Sequence, residues 1–220
     1  MGEIIAIDGP AGAGKSSTAL EVARKLGYIY IDTGAMYRAV TLAAINNDVE
    51  IEDEKQIVDL ASSLNIKFKK QDGEYLTYMD SRDVSNEIRT SRVGELVSPF
   101  SAIPGVREVL VDKQRSMAKD DNVVMEGRDI GTNVFPEADY KFYITADVRT
   151  RAKRRLKDYK ENDQEIALEQ VIEELKERDR IDSSRDVAPL KKPKDAFEVD
   201  TSNLDFKEQV NIIVNKVRDK

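Results

Sequence analysis

The sequence predicts an α/β fold: a five-stranded parallel sheet with helices on both faces, interrupted by an insert that contains a small antiparallel sheet. Three observations lead there. Short apolar runs alternate with segments whose apolar residues recur at helical spacing. A glycine-rich segment, Gly9–Ser16, joins the first such run to the first such helix. Within 66–88 the alternation gives way to three short strand-like runs.

Taken in order, Glu3–Asp8 opens the chain as a buried strand, followed by a helix over Lys15–Leu26. Tyr28–Asp32 is the second strand. The insert is placed at 34–91 and starts with a helix through Met36–Asn46. Ile66–Lys70, Tyr75–Met79 and Asp83–Ile88 then read as strands, joined by turns at Asp72-Gly73 and Ser81-Arg82. A helix over Val106–Ala118 leads back to core strands at Val123–Glu126 and Tyr140–Thr145. Helices follow over Val148–Tyr159 and Glu165–Arg180. The Pro- and Lys-rich stretch 188–194 is a loop, Ala196–Asp200 the last strand and Phe206–Val217 the last helix. The core strands are rich in Ile, Val, Tyr and Phe, as strands covered on both faces must be.

Composition narrows the chemistry. The chain has 220 residues, 40% hydrophobic and 35% charged, which suits one globular domain with an insert. It has no cysteine, which excludes a disulfide framework, a zinc ribbon and a thiol nucleophile. It has no histidine, which excludes a Ser-His-Asp hydrolase and an HExxH metalloprotease. The apolar runs are far shorter than the ~20 residues of a transmembrane helix. No secretory signal pattern opens the chain, so a cytoplasmic protein without membrane contact is expected. The net charge of −7 argues against generic nucleic-acid binding, although the stretch 149–160 alone carries +6.

Residues 9–16 read Gly-Pro-Ala-Gly-Ala-Gly-Lys-Ser and match the phosphate-binding pattern G-x-x-x-x-G-K-[ST]. Glycines let successive N–H groups turn inward toward phosphate oxygens, and the following helix directs its positive end at the same place. Gly9, Pro10, Ala11, Gly12, Ala13, Gly14, Lys15, Ser16 and Ser17 are therefore the candidate ATP-binding residues. Lys15 is the candidate for the β- and γ-phosphates, and Ser16 the candidate Mg²⁺ ligand. Asp8, at the strand end, either orients the loop or a metal-bound water, or is an ordinary turn residue. A GTPase is excluded because no N-K-x-D segment follows a strand.

Three further clusters carry groups that bind anions or polar rings: 32–38, 126–132 and 177–185. The first two lie at the carboxyl ends of strands, where open α/β sheets bind ligands. A phosphate monoester acceptor is largely dianionic at neutral pH, with a second pKa of about 6. It needs cations more than a base, which suits an arginine-rich chain without histidine.

The segments IAIDGPAGAGKSS, DTGAMYRAVTLAA, DVSNEIRT, VREVLVDKQR, EGRDIGTNVFPEAD and ERDRIDSSRDVAPL together resemble the bacterial cytidylate kinases, in the family's order. The resemblance implies an adenylate-kinase-like P-loop core at 1–33, 92–148 and 184–220. It also implies a monophosphate-binding insert at 34–91 and a helical lid with flanking helices at 149–183. The implied reaction is ATP with CMP or dCMP giving ADP with CDP or dCDP, using Mg²⁺, in a monomer without nucleic-acid partners. By the same resemblance Lys15, Arg128 and Arg185 would be catalytic. Arg38 and Arg128 would clamp the CMP phosphate, and Arg185 would sit between the nucleotides or near the cytosine. Thr33, Arg107 and Asp129 would read the base, and Ser98, Arg178 and Asp182 would reach the sugar. Tyr37 would pack on the acceptor. Arg151, Arg154 and Arg155 are the lid arginines, with no sequence signal for which of them points inward. Two positions depart from the family: Glu126 stands where many relatives have aspartate, and Pro99 after Ser98 should hold Ser98 extended. The alternatives are a kinase of another monophosphate or small metabolite, and a non-catalytic nucleotide-binding protein that contacts RNA through the basic helix.

Overall fold

A computed structural model describes residues 2–71, 74–161 and 166–219. In chain order the elements are β1 (Ile4–Asp8), α1 (Lys15–Leu26), β2 (Ile29–Asp32), α2 (Thr33–Asn46), α3 (Glu54–Ser63), β3 (Ile66–Gln71), β4 (Glu74–Met79) and β5 (Arg82–Asp83). A 3-10 turn (Glu87–Arg89), α4 (Ser91–Ala102), α5 (Pro104–Met117), β6 (Val123–Gly127) and a π-type turn (Ile130–Val134) follow. The chain ends with β7 (Tyr140–Thr145), α6 (Val148–Glu161), α7 (Leu168–Ser184), β8 (Phe197–Asp200) and α8 (Phe206–Arg218). These elements fall into two compact units, Met1–Tyr30 with Asp120–Lys220, and Ile31–Lys119.

The first unit is built on the five-stranded sheet, in the order β2-β6-β1-β7-β8. β1 pairs in parallel with β6 on one side and β7 on the other. Its five residues are all buried, as are those of β6, because helices cover both faces. The register sets Asp8 abreast of Gly127 and Tyr143, so the loop after β1 lies beside the turn after β6. α1 is bounded by Gly14 (φ 90°) and Gly27 (φ 75°), both left-handed, where a β-carbon would be strained. α8 starts with a capping box, Asp205 accepting from the Glu208 N–H and Glu208 from the Asp205 N–H, each at 2.8 Å. α6 and α7 close over Ala152, Val171 and Leu175, with Ala11 in the same cluster.

The second unit packs α2, α3, α4 and α5 around Met36, Val40, Ile57, Ile88, Val93 and Leu110. Its three-stranded antiparallel sheet has the order β3-β4-β5. This unit extends past the 34–91 stretch because α4 and α5 pack on α2 and α3. α2 begins at Thr33, earlier than expected, because Asp32 caps it: its Oδ1 accepts the Ala35 N–H at 2.8 Å.

Four expectations need correction. The strand expected over Asp83–Ile88 is extended only at Arg82–Asp83. Asp83 Oδ1 takes the Ser85 N–H at 2.9 Å and its hydroxyl at 2.6 Å, a local turn that ends the ladder. The tight turn before it is Asp80–Ser81, both residues at positive φ (50° and 78°), rather than Ser81-Arg82. The expected Asp72-Gly73 turn lies outside the described residues. Two helices, α3 and α4, had no counterpart in the sequence reading; each buries a short face, Ile57 with Ala61 in α3 and Val93 with Val97 and Phe100 in α4. Ser98 is consequently helical and not extended: α4 runs through Pro99, and the core contacts of its neighbours outweigh the local bias.

Pro99 cannot donate a hydrogen bond to the Glu95 carbonyl one turn back. Pro99→Ala is therefore expected to stabilise the protein by about 2 kcal/mol, after the gain in unfolded-chain freedom is deducted. Urea unfolding at equal m-value measures it, and an unchanged or lower midpoint contradicts the account.

Candidate functional site

The glycine-rich loop is shaped by contact as much as by flexibility. A β-carbon on Gly9 (φ 150°) would lie 1.9 Å from the Ile144 carbonyl oxygen, so only glycine fits against β7. The loop delivers Lys15 to the first turn of α1, where its side chain is 5% exposed and its ammonium donates to the Pro10 carbonyl at 2.8 Å. Burial, and then the nearby Arg128 charge, push the Lys15 ammonium well below the usual lysine range. The next residue, Ser16, donates its hydroxyl to Glu126, which also accepts from the Tyr30 hydroxyl at 3.3 Å. The longer Glu126 side chain thus spans from β6 to the head of α1. Ser17 is exposed and donates to the Gly14 carbonyl.

Two arginines of α6 grip this loop from behind. Arg151 donates to the carbonyls of Ala11 and Ala146, both at 3.1 Å, and to the Asp179 carboxylate at 2.7 Å. Arg154 donates to the Ala13 carbonyl at 3.1 Å and to the Thr201 hydroxyl and carbonyl. Thr201 bonds the same Ala13 carbonyl. Arg155 lies over the Tyr159 ring, 4.8 Å from its centre.

After β6 the chain makes its π-type turn, with the Val134 N–H on the Asp129 carbonyl and the Phe135 N–H on that of Ile130. The Asp8 carboxylate, at the end of β1, accepts the N–H groups of Ile130 and Gly131, each at 2.8 Å. Burial pushes Asp8 up to about 7 in spite of these two bonds. Arg128 donates through Nε to Asp182 at 2.8 Å. Burial opposes the Arg128 charge, but Asp182, Glu126 and Asp179 outweigh it and hold its pKa above the ordinary value. Burial likewise opposes ionisation of Asp182, and Arg128, Arg178 and Arg185 together hold its carboxyl below the usual range. Arg185 lies 3.8 Å from both Asp129 and Asp182 and donates to the Ala188 carbonyl at 2.7 Å. Asp129 accepts from the Asn133 side chain at 3.0 Å and makes no side-chain bond that caps its own turn.

Within the second unit the expected acceptor residues form two groups. Arg38 pairs with Asp32 at 3.0 Å one turn into α2, beside buried Thr33. Arg107, 2% exposed, lies 5.3 Å from the Tyr37 ring centre and donates to the Ser101 carbonyl at 3.2 Å; Ser101 in turn bonds the Ser98 carbonyl. Lys15, Ser16, Arg128, Asp129, Arg178, Asp182 and Arg185 all belong to the first unit. The sequence reading placed Asp32 and Asp179 in its clusters without a role of their own, and it missed Asn133 and Thr201. Asp32 had the signal of a helix cap and Asn133 its spacing from Asp129; Thr201, 188 residues from Ala13, had none.

A model of the cytidylate kinase family matches residues 5–219. The chain belongs to the cytidylate kinase family. It is 48% identical to the cytidylate kinase of Caldanaerobacter subterraneus over 97% of this chain and 94% of that one. It is 48% identical to that of Lactobacillus gasseri over 98% and 94%. An uncharacterized protein of Eubacterium ventriosum of known structure has the same fold, with a TM-score of 0.56, 11% identity and 99% coverage of both chains.

For a cytidylate kinase the donor set at the loop matters. Among the described residues no group of three acidic or imidazole side chains can hold a metal alone. Ser16 fits a divalent cation that arrives with nucleotide phosphates: its hydroxyl proton is engaged by Glu126, which leaves oxygen lone pairs for a hard ion. Arg151 and Arg154 each make three hydrogen bonds, but only Arg151 pairs with a carboxylate, and its loss removes a donor from Asp179 and from the Ala11 and Ala146 carbonyls. Arg151→Ala is expected to cost about 3 kcal/mol of stability, measurable by urea unfolding. A loss below about 0.5 kcal/mol, the scale of an ordinary surface change, means that the clamp contributes nothing.

Proposed function

We propose that this cytidylate kinase transfers the γ-phosphoryl group of ATP to the phosphate of CMP or dCMP, giving ADP and CDP or dCDP. The observation that carries the reading is the gathering of like charges around buried Lys15 in the first unit. Lys15, Arg128 and Arg178 lie near enough that each arginine depresses the lysine's pKa. Cations held together out of water repel one another, and an arriving polyanion relieves that repulsion.

In the proposed mechanism the N–H groups of Gly9 and of residues 11–17 and the Lys15 ammonium hold the ATP phosphates. Arg38 and Arg128 hold the acceptor phosphate, and Arg185 supports the charge that spreads over the transferring group. An oxygen of the CMP phosphate attacks the γ-phosphorus, and the bond from that phosphorus to the β–γ bridging oxygen breaks as ADP leaves. The acceptor oxygen is already deprotonated at neutral pH, which accords with a chain that has no histidine. Mg²⁺ held with Ser16 would neutralise charge across the β- and γ-phosphates. Thr33, Arg107 and Asp129 read the cytosine, Ser98, Arg178 and Asp182 the sugar, and Tyr37 packs against the acceptor. Residues 34–91 serve as the monophosphate-binding insert and 149–183 as the lid. The protein acts as a monomer in the cytoplasm on small molecules, with neither nucleic acid nor membrane as partner. Its net charge of −7 supports that reading, and no helix among the described residues is long and apolar enough to cross a membrane.

Lys15→Met keeps the length of the side chain and removes the charge. It is expected to lower the rate of CMP phosphorylation by on the order of 10²–10³, with the fold retained. Turnover within threefold of the parent enzyme removes Lys15 from the mechanism. Asp129→Ala tests the base reading. A carboxylate that accepts from the cytosine amino group repels the uracil carbonyl, so kcat/KM for CMP should fall by on the order of 10² and that for UMP much less. An equal proportional loss for CMP and UMP assigns Asp129 to positioning or stability instead.

A further inference from the structure

The turn that carries Arg128 and Asp129 has its first N–H groups satisfied in an unusual way. At the start of a helical turn these donors have no partner within the turn, and the residue before it normally supplies one from its own side chain. Here that residue is Asp129, and its carboxylate makes no such bond. It is engaged sideways by the Asn133 amide at 3.0 Å, with Arg185 at 3.8 Å. The Ile130 and Gly131 N–H groups instead both reach Asp8, at 2.8 Å each, one per carboxylate oxygen. Asp8 is 1% exposed and lies 122 residues before Ile130, on the central strand of the sheet.

We propose that Asp8 is a positioning residue for CMP binding: it caps the Ile130–Val134 turn in place of Asp129, so that the Asp129 carboxylate and the Arg128 guanidinium are held in fixed directions for the acceptor nucleotide. The proposal rests on the reading that Arg128 and Asp129 engage CMP. The physical reason is a conflict of duties. A carboxylate that caps its own turn points back along the backbone and has its lone pairs spent there. Moving the cap to a second carboxylate on a rigid strand releases the first. Two bonds to consecutive N–H groups also fix the backbone in orientation as well as position, and the sheet behind Asp8 cannot yield as a loop would. Asp8 also supports the Lys15 charge, but its two hydrogen bonds go to the turn after β6, so the binding effect falls chiefly on CMP.

The test uses Asp8→Asn, which keeps the size but sets an amide N–H₂ against one of the two donors. KM for CMP is expected to rise about tenfold or more, the scale of a lost charge-assisted hydrogen bond, with KM for ATP within about twofold. Amide exchange at Ile130 and Gly131 should accelerate about tenfold or more over the same change. A merely structural Asp8 would lower the amount of folded enzyme and leave both KM values alone, and that result overturns the proposal. Should the variant fail to fold, exchange in the parent protein decides: Ile130 and Gly131 amides that exchange as fast as an open loop overturn the anchor. Arg128→Ala serves as the reference. If it raises KM for CMP while Asp8→Asn does not, the Asp8 role fails and the CMP reading stands. If Arg128→Ala leaves KM for CMP unchanged, the reading beneath the proposal fails with it.

Discussion

Burying the Lys15 ammonium imposes a condition on everything around it. A buried charge must be matched by partners or surrender its proton, and here burial together with Arg128 already presses it toward the neutral form. Glu126 is the largest opposing influence, with Asp8 behind it. Each of these carboxylates is in turn held by donors of its own: Ser16 and Tyr30 for Glu126, Ile130 and Gly131 for Asp8. Arg128, which disfavours the lysine charge, is kept ionised by Asp182. The result is an interior of alternating charges. Glu126 is held from α1 and β2, Asp8 from the turn after β6 and Arg128 from α7, which favours one arrangement of the network.

That network needs a stiff phosphate loop, and glycines alone do not make one. Gly9 is pressed against the Ile144 carbonyl, and from the far side Arg151, Arg154 and Thr201 take the carbonyls of Ala11 and Ala13. These bonds fix the Ala11 and Ala13 carbonyls, while the Pro10 carbonyl accepts from Lys15 within the loop. Arg151 and Arg154 of the basic helix therefore brace the loop as built, while Arg149, Lys153 and Lys157 are exposed. Tying the arginines of α6 to the loop backbone also links α7, through the Arg151–Asp179 pair.

The second unit meets the same condition in another way. Arg107 is almost wholly buried, and it is carried by the Tyr37 ring and the Ser101 carbonyl. A guanidinium suits such a place, since it stacks on an aromatic face and is weakly hydrated compared with an ammonium. Arg38 has its own carboxylate, Asp32, which also caps α2. One aspartate thereby fixes both the start of the helix and the direction of the arginine one turn along it.

How much of this could be read from the chain follows from the range of the interactions involved. The core strands, α1 and α8 came out within a residue or so of their observed limits, because alternating apolar runs, flanking glycines and a capping pattern are local signals. The glycine-rich segment between β1 and α1 was equally legible as a motif, since its pattern demands particular residues at fixed spacing. The sequence misled where a local preference was overruled by packing. Pro99 argued for an extended Ser98, yet Val93, Val97 and Phe100 hold a helix there. Ser85 cut short a strand that its composition favoured. Asp8 was equally readable as an ordinary turn residue, and Thr201 gave no sign at all. Their roles are bonds to partners 122 and 188 residues away, and such pairings exist only once the parallel sheet has set its register. Residue types and local order are thus written in the chain. Which carboxylate caps which turn, and which arginine braces which carbonyl, is settled by folding, because burial forces every charge to find a partner among whatever the fold brings near.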